Sequence, residues 1–287
     1  MTSMGTARTD RFTAACVQMR TGTDIDRNVE AATGLIREAA LSGAQFVATP
    51  ETTALMELGA KRLFANIVAE EDDRALKALR TLAAELGLHL LIGSLAVKVA
   101  DDKAANRSFL ITPEGAIAAR YDKIHMFDVD LGNGEAYRES KNYRAGDEAV
   151  LTDLPWGTLG MTVCYDLRFP HLYRQLSHAG AGFLTVPSAF TKPTGEAHWL
   201  VLLRARAIET GCFVFAPAQG GTHENGRETY GHSLIVDPWG EVLAEAGTDP
   251  CVILAEIDPG KIEEARSRIP SLTHDRAIIA SGTTSGA

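Results

Sequence analysis

Short apolar runs of strand length alternate with amphipathic helical patterns along nearly the whole chain, and this alternation limits the fold more than any other feature. After an opening strand at residues 12–19, Asp24 stands as an N-cap before a helical pattern with Val29, Ala32, Leu35, Ile36 and Ala39 on one face, stopped by Gly43. An apolar burst at 45–48 runs into Pro50 and Glu51, a second helix spans about 72–86 before Gly87, and a buried strand follows at 88–97. Residues 106–111 and 116–121 flank Pro113-Glu114-Gly115 as a hairpin. A polar loop at 125–148 is long enough to suggest a functional role. Beyond it come strands at 158–164 and 183–186, helices at 170–178 and 196–210, strands at 213–216, 233–236, 241–244 and 252–257, and a short helix from Gly260. No linker, repeat or shift of composition interrupts the series. The expectation is an α/β protein with one domain at 12–276, holding two packed sheets or one large one, between a flexible N-terminus at 1–11 and a tail at 277–287.

Composition narrows the function. Hydrophobic residues at 45% and charged residues at 23% exclude disordered and low-complexity classes. Lysine and arginine total 28 against 37 acidic residues, and a net charge of −9 argues against nucleic-acid or anionic-membrane partners. An anionic substrate therefore needs a local cationic pocket. The four cysteines, Cys16, Cys164, Cys212 and Cys251, are scattered without a CxxC pair, which argues against a zinc site or a disulfide framework and suits a reducing cytoplasm. No apolar run approaches the roughly 20 residues of a membrane helix.

Ligands of open α/β folds gather at the carboxyl ends of strands. Glu51, Lys123 and Cys164 all stand there. Each alone has a plain structural alternative: a first-turn acid, a solvated cation, a small buried hydrophobe. Together they make an amide-cleaving set. Cys164 would attack the carbonyl carbon, Glu51 would take the thiol proton and return it to the departing nitrogen, and Lys123 with the Tyr165 backbone N–H would stabilise the oxyanion. Water activated by Glu51 would hydrolyse the thioester, and no metal or organic cofactor has a task in the scheme.

The blocks Ala48-Thr49-Pro50-Glu51, Tyr121-Asp122-Lys123-Ile124-His125 and Gly160-Met161-Thr162-Val163-Cys164-Tyr165-Asp166-Leu167-Arg168-Phe169-Pro170 resemble the nitrilase superfamily of carbon-nitrogen hydrolases in order and separation. The resemblance runs from about Phe12 to Arg276. It implies a Glu51-Lys123-Cys164 triad, Glu139 as a second active-site carboxylate orienting Lys123 and the substrate, and a four-layer-forming αββα sandwich whose sheets pair across a homodimer or higher homo-oligomer. The blocks at 187–190, 194–195, 197–199, 203–209, 218–219 and 230–233 are similar to the deaminated glutathione amidase branch, which implies a small anionic amide substrate. An omega-amidase acting on 2-oxoglutaramate and a catalytically idle binding module are the alternatives.

Arg168 is the leading candidate for binding substrate carboxylate, with a salt bridge to Asp166 as its structural alternative. Phe190 and Thr191 are candidates for shaping the acyl pocket, and Trp199 for the core. His125, His198 and His232 keep a cysteine-histidine mechanism open as a rival. Two departures stand out: Ala145-Gly146 replaces a common proline-glycine turn, and His274-Asp275-Arg276 alters charge near a segment that lies at the dimer interface in relatives.

Overall fold

The computed structural model describes residues 10–132 and 134–278. Most of the N-terminal lead and of the C-terminal tail lies outside the described residues, although Arg11 pairs with Glu256 at 2.8 Å and Asp258 at 3.1 Å. The first half of the chain runs β1 (Phe12–Gln18), α1 (Ile25–Leu41), β2 (Phe46–Ala48), α2 (Ala60–Asn66), α3 (Arg74–Leu86), β3 (His89–Lys98), β4 (Ala104–Ile111) and β5 (Ile117–Asp122), then a two-stranded ribbon, β6 (Asp128–Asp130) and β7 (Ala136–Arg138). The second half runs β8 (Val150–Leu154), β9 (Gly157–Met161), α4 (Pro170–His178), β10 (Phe183–Thr185), α5 (Lys192–Thr210), β11 (Phe213–Ala216), a ribbon of β12 (Gly220–Thr222) and β13 (Glu228–Tyr230), β14 (Leu234–Val236), β15 (Val242–Glu245), β16 (Cys251–Ile257) and α6 (Gly260–Arg268).

Helix ends follow local chemistry. Asp24 accepts from the amides of Asp26 and Arg27 at the start of α1, and Asp73 accepts from Leu76 at the start of α3. Gly43, at φ +87°, closes α1 with Gly43 N–H to Ala40 and Ala44 N–H to Ala39, both at 3.0 Å, the paired bonds of a left-handed glycine cap.

Two six-stranded sheets result, in the orders β16-β1-β2-β3-β4-β5 and β15-β14-β11-β10-β9-β8. Alternation along β1 explains their stacking. Ala15 and Val17 face α1 and α3 in one apolar cluster, whereas Phe12, Ala14 and Cys16 face the second sheet in another. That second cluster continues through the sheet into α4 and α5, by way of Leu172, Tyr173, Leu176, Trp199, Leu203 and Ala207. The four α-β-β-α layers are thus complete within a single chain. Between the sheets Phe46 meets Phe215 at 5.2 Å, and Phe12 stacks on Trp156 at 4.0 Å between ring centres.

One irregularity serves the site. The register of β3 against β4 shifts between Ile92 and Leu95. At Gly93 a Cβ would sit 2.0 Å from the carbonyl oxygen of Thr49, so only glycine lets the end of β2 cross this point. Gly146 is equally constrained, since a Cβ there would lie 2.2 Å from the Asp122 carbonyl oxygen beside Lys123.

Candidate active site

Glu51 lies three residues past the end of β2, in a turn pinned to the shifted part of β3. Ser94 Oγ accepts from Thr52 N–H at 2.9 Å, and the Ser94 carbonyl accepts from Thr53 N–H at 3.0 Å, holding Thr52 at φ +56°. Lys123 follows β5 directly, its N–H bonded to the Asn106 carbonyl at 3.0 Å. Cys164 stands beyond the end of β9, where the expected strand has already turned into a 3-10 helix over Cys164–Arg168. Its backbone is left-handed at φ +51°, and its N–H donates to Pro187 at 3.0 Å.

Asp166 explains that turn. Fully buried, it accepts from Val163 N–H at 2.9 Å, from the Tyr121 hydroxyl at 2.7 Å, and from His125 through N–H at 3.0 Å and Nδ1 at 2.7 Å. One carboxylate therefore fastens the residue before Cys164 to residues two before and two after Lys123. Arg206 of α5 braces the same turn, donating to the Leu167 carbonyl at 2.7 Å.

Glu51, Lys123, Glu139, Cys164, Tyr165, Arg168, Phe190 and Thr191 all line one cavity. Lys123 Nζ lies 3.0 Å from Glu51 Oε1 and 2.8 Å from Glu139 Oε2. Asn106 Nδ2 donates to Glu51 Oε1 at 2.9 Å and to Glu139 Oε1 at 3.1 Å, while the Ala189 and Phe127 amides donate to Glu51 Oε2 at 2.9 Å and Glu139 Oε2 at 2.6 Å. The Tyr165 amide falls in the first turn of the 3-10 helix, where amides lack a carbonyl one turn back.

Electrostatics assign the protons. Burial alone would raise the Glu51 carboxyl, but the Lys123 ammonium and hydrogen bonds from Cys164 and Lys123 outweigh it and hold the group below the usual carboxylate range. Burial opposes the Lys123 ammonium, yet Glu139 and then Glu51 hold it well above its ordinary value. Burial first and the Glu51 charge second push the Cys164 thiol up. The resting set is a carboxylate, a neutral thiol and an ammonium lining one cavity, the groups that attack of a thiol on a carbonyl would need.

The carbon-nitrogen hydrolase model of protein families matches residues 13–267. The chain belongs to the carbon-nitrogen hydrolase family. It is 42% identical over 268 residues to a deaminated glutathione amidase of Synechocystis, covering 92% of this chain and 97% of that one. It is 38% identical over 269 residues to the Homo sapiens protein of the same name, covering 91% and 81%. Among solved structures, Saccharomyces cerevisiae Nit3, a nitrilase-superfamily member, superposes with TM-score 0.83 at 27% identity over 93% of this chain and 97% of its own. The Caenorhabditis elegans NitFhit protein gives TM-score 0.87 at 36% identity over 93% of this chain, which spans only 66% of that longer protein.

The histidine candidates and Trp199 of this hydrolase fall outside the cavity lining. Among His125, His198 and His232, none lines the cavity: His125 is bound to Asp166, His198 lies 3.2 Å from Arg168 Nη1, and His232 lies 3.1 Å from Glu245. The salt bridge from Arg168 to Asp166 does not form; the guanidinium lies 5.4 Å over the Phe190 ring and 5.9 Å over Tyr165. Trp199 is buried in the core, donating to the His232 carbonyl at 2.7 Å. Among the described residues no group of three His, Cys, Asp or Glu side chains is placed to hold a metal, and no helix is long and apolar enough to cross a membrane.

Three contributors escape sequence reasoning: Asn106, the Ala189 amide and Arg227. Asn106 carries a faint signal, a buried amide that follows two alanines at the start of β4. Arg227 carries none, because it follows the polar turn Glu224-Asn225-Gly226.

Proposed function

We propose that the protein is an amidase that opens a linear amide through a thioester on Cys164. Sγ attacks the carbonyl carbon as Glu51 takes the thiol proton. The C=O electron pair becomes an oxyanion between Lys123 Nζ and the Tyr165 amide. Collapse breaks the C–N bond, Glu51 returns its proton to the nitrogen, and the amine leaves. Glu51 then takes a proton from water as the water oxygen attacks the thioester carbon, and returns it to sulfur as the C–S bond breaks, releasing the acid and restoring the thiol. Glu139 holds Lys123 together with Glu51 and keeps it charged throughout.

The observation that carries this mechanism is that the Cys164 thiol and the Glu51 carboxylate line one cavity, where burial and the Glu51 charge push the thiol up. A thiol buried beside an anion does not ionise unaided, so its proton must pass to that neighbour during attack. Lys123, already saturated by two carboxylates, cannot accept it.

For the substrate we infer deaminated glutathione, cleaved to 2-oxoglutarate and cysteinylglycine. The names of the relatives at 38–42% identity support it. So does the presence of three arginines, Arg138, Arg168 and Arg227, on the wall of a cavity whose other charged residues are Glu51, Glu57, Lys123 and Glu139. Phe190 and Thr191 would border the acyl chain. Unpaired cysteines are in keeping with a reducing cytoplasm. The exposed Val201, Ile208 and Trp239 beside α5 suit a homodimer, which light scattering would detect. The deciding experiment compares kcat/KM for deaminated glutathione, 2-oxoglutaramate, an N-carbamoyl amino acid and a nitrile in one preparation. Preference for deaminated glutathione is expected; preference for 2-oxoglutaramate would make the protein an omega-amidase.

A further inference from the structure

Among the described residues, Arg227 is the one cation of the cavity wall with a buried donor left without a partner. Its Nη2 donates to the Ala189 carbonyl at 2.7 Å, its Nη1 reaches only the Met56 sulfur at 3.6 Å, and its guanidinium lies 5.4 Å over the Tyr137 ring. Nε is enclosed without a hydrogen-bond partner, one of two such buried side-chain atoms among the described residues; the other, Thr185 Oγ1, belongs to core strand β10. The partly buried Arg107, by contrast, is held by Asp122 at 2.6 Å and Glu70 at 2.8 Å. A fork of five donors that finds one carbonyl and one sulfur is matched to an acceptor the protein does not supply, and a carboxylate fits it best.

Its place relative to the chemistry says which carboxylate. Ala189 gives its N–H to Glu51 Oε2 and its C=O to Arg227, so the carboxylate and the guanidinium grip opposite ends of one residue and lie within about 9 Å of each other. Glu51 protonates the departing nitrogen, so the amine half of the substrate begins there. In a dipeptide the terminal carboxylate lies two residues on, about 7 Å from that nitrogen. Arg168 shares the 3-10 helix of Cys164 and Tyr165 and lies against Phe190, the residue proposed above to border the acyl chain.

We propose that Arg227 binds the carboxylate of the leaving amine, making the enzyme selective for amides whose amine half is an amino acid or short peptide. This deepens the amidase function proposed above and rests on it.

The test measures kcat/KM of wild type, Arg227→Lys and Arg227→Ala on deaminated glutathione and on its analogue with the terminal carboxylate converted to a primary amide. Arg227→Ala should lose about 100-fold on the acid, mostly in KM, and at least 30-fold less on the analogue. Arg227→Lys should recover part of the difference. Equal losses on both substrates overturn the proposal and make Arg227 a brace for Ala189 and Glu51. A second arm needs no turnover: calorimetry of cysteinylglycine binding to Cys164→Ala protein, with and without Arg227→Gln. Loss of at least 10-fold in affinity with Arg227→Gln supports the proposal, and unchanged affinity refutes it. Wild-type inactivity on every amide, with the binding difference intact, would instead count against the amidase function alone.

Discussion

Cys164 occupies a backbone conformation that costs energy, and glycine at this position tests whether the proposed nucleophile stores that strain. At φ +51° a residue with a Cβ is disfavoured by roughly 1–2 kcal/mol relative to the right-handed region. Glycine is free of that cost but loses about 0.5–1 kcal/mol more chain entropy than alanine on folding. Comparing Cys164→Gly with Cys164→Ala removes the sulfur from both, so its packing cancels. The glycine variant should be the more stable by about 0.5–1 kcal/mol, or about 2 °C in Tm for a chain of this size. Both should be inactive. Calorimetry and urea midpoints in one buffer make the measurement. Thr52, at φ +56° in the turn after Glu51, offers a control in which the glycine variant should again exceed the alanine variant. If alanine equals or exceeds glycine at 164, the left-handed backbone there stores no strain, and the placement of the thiol owes nothing to it.

Glu51→Gln should lower kcat by at least 1,000-fold, about what removal of a general base costs. Because the Glu51 charge helps to hold the Cys164 thiol up, the same variant should titrate to thiolate at lower pH than wild type, read as absorbance near 240 nm; a higher midpoint contradicts the electrostatic assignment. Burial lowers the His223 imidazole to about 4, with Nδ1 donating to the Thr21 carbonyl and Nε2 accepting from the Thr229 hydroxyl. The unfolded chain takes up that proton near its ordinary 6.5, so the stability due to neutral His223 is complete above that pH and is lost as pH falls toward 4, up to about 3 kcal/mol. His223→Gln should flatten the fall in Tm over this window, and an unchanged slope would falsify the assignment. Asp166→Asn leaves one acceptor oxygen for four donors. It should cost about 3 kcal/mol of stability and reduce kcat far more than it changes KM, whereas equal effects on both would mean that Asp166 does not position Lys123 and Cys164.

Much of the molecule is legible along the chain because helix caps and strand alternation act over a few residues. Asp24 and Gly43 bracket α1 where spacing puts them, and the β4–β5 hairpin forms around its Pro-Glu-Gly turn. Glu51, Lys123 and Cys164 stand out by type and by position after apolar runs. Less was visible where partners are distant. Residues 125–148 read as a plain loop, yet they form the β6–β7 ribbon and a 3-10 turn at Glu139–Lys141. α2 and the β12–β13 ribbon gave no periodic signal, being too short to show one. Asp275, a departure from the usual ending of the family, is tied to Arg174 and, at 2.7 Å, to His178.

By itself the sequence determined the types and α/β order of the longer elements and the chemical kinds of side chain available, since each depends on neighbours within a turn or a strand. Only the tertiary structure decided that Asn106 bridges two carboxylates, that Ala189 joins Glu51 to Arg227, and that Asp166 locks Cys164 to Lys123. Those contacts join residues as much as 138 positions apart. They depend on the register of two stacked sheets and on the close crossing at Gly93, where burial of the whole core, rather than any local preference, fixes the geometry.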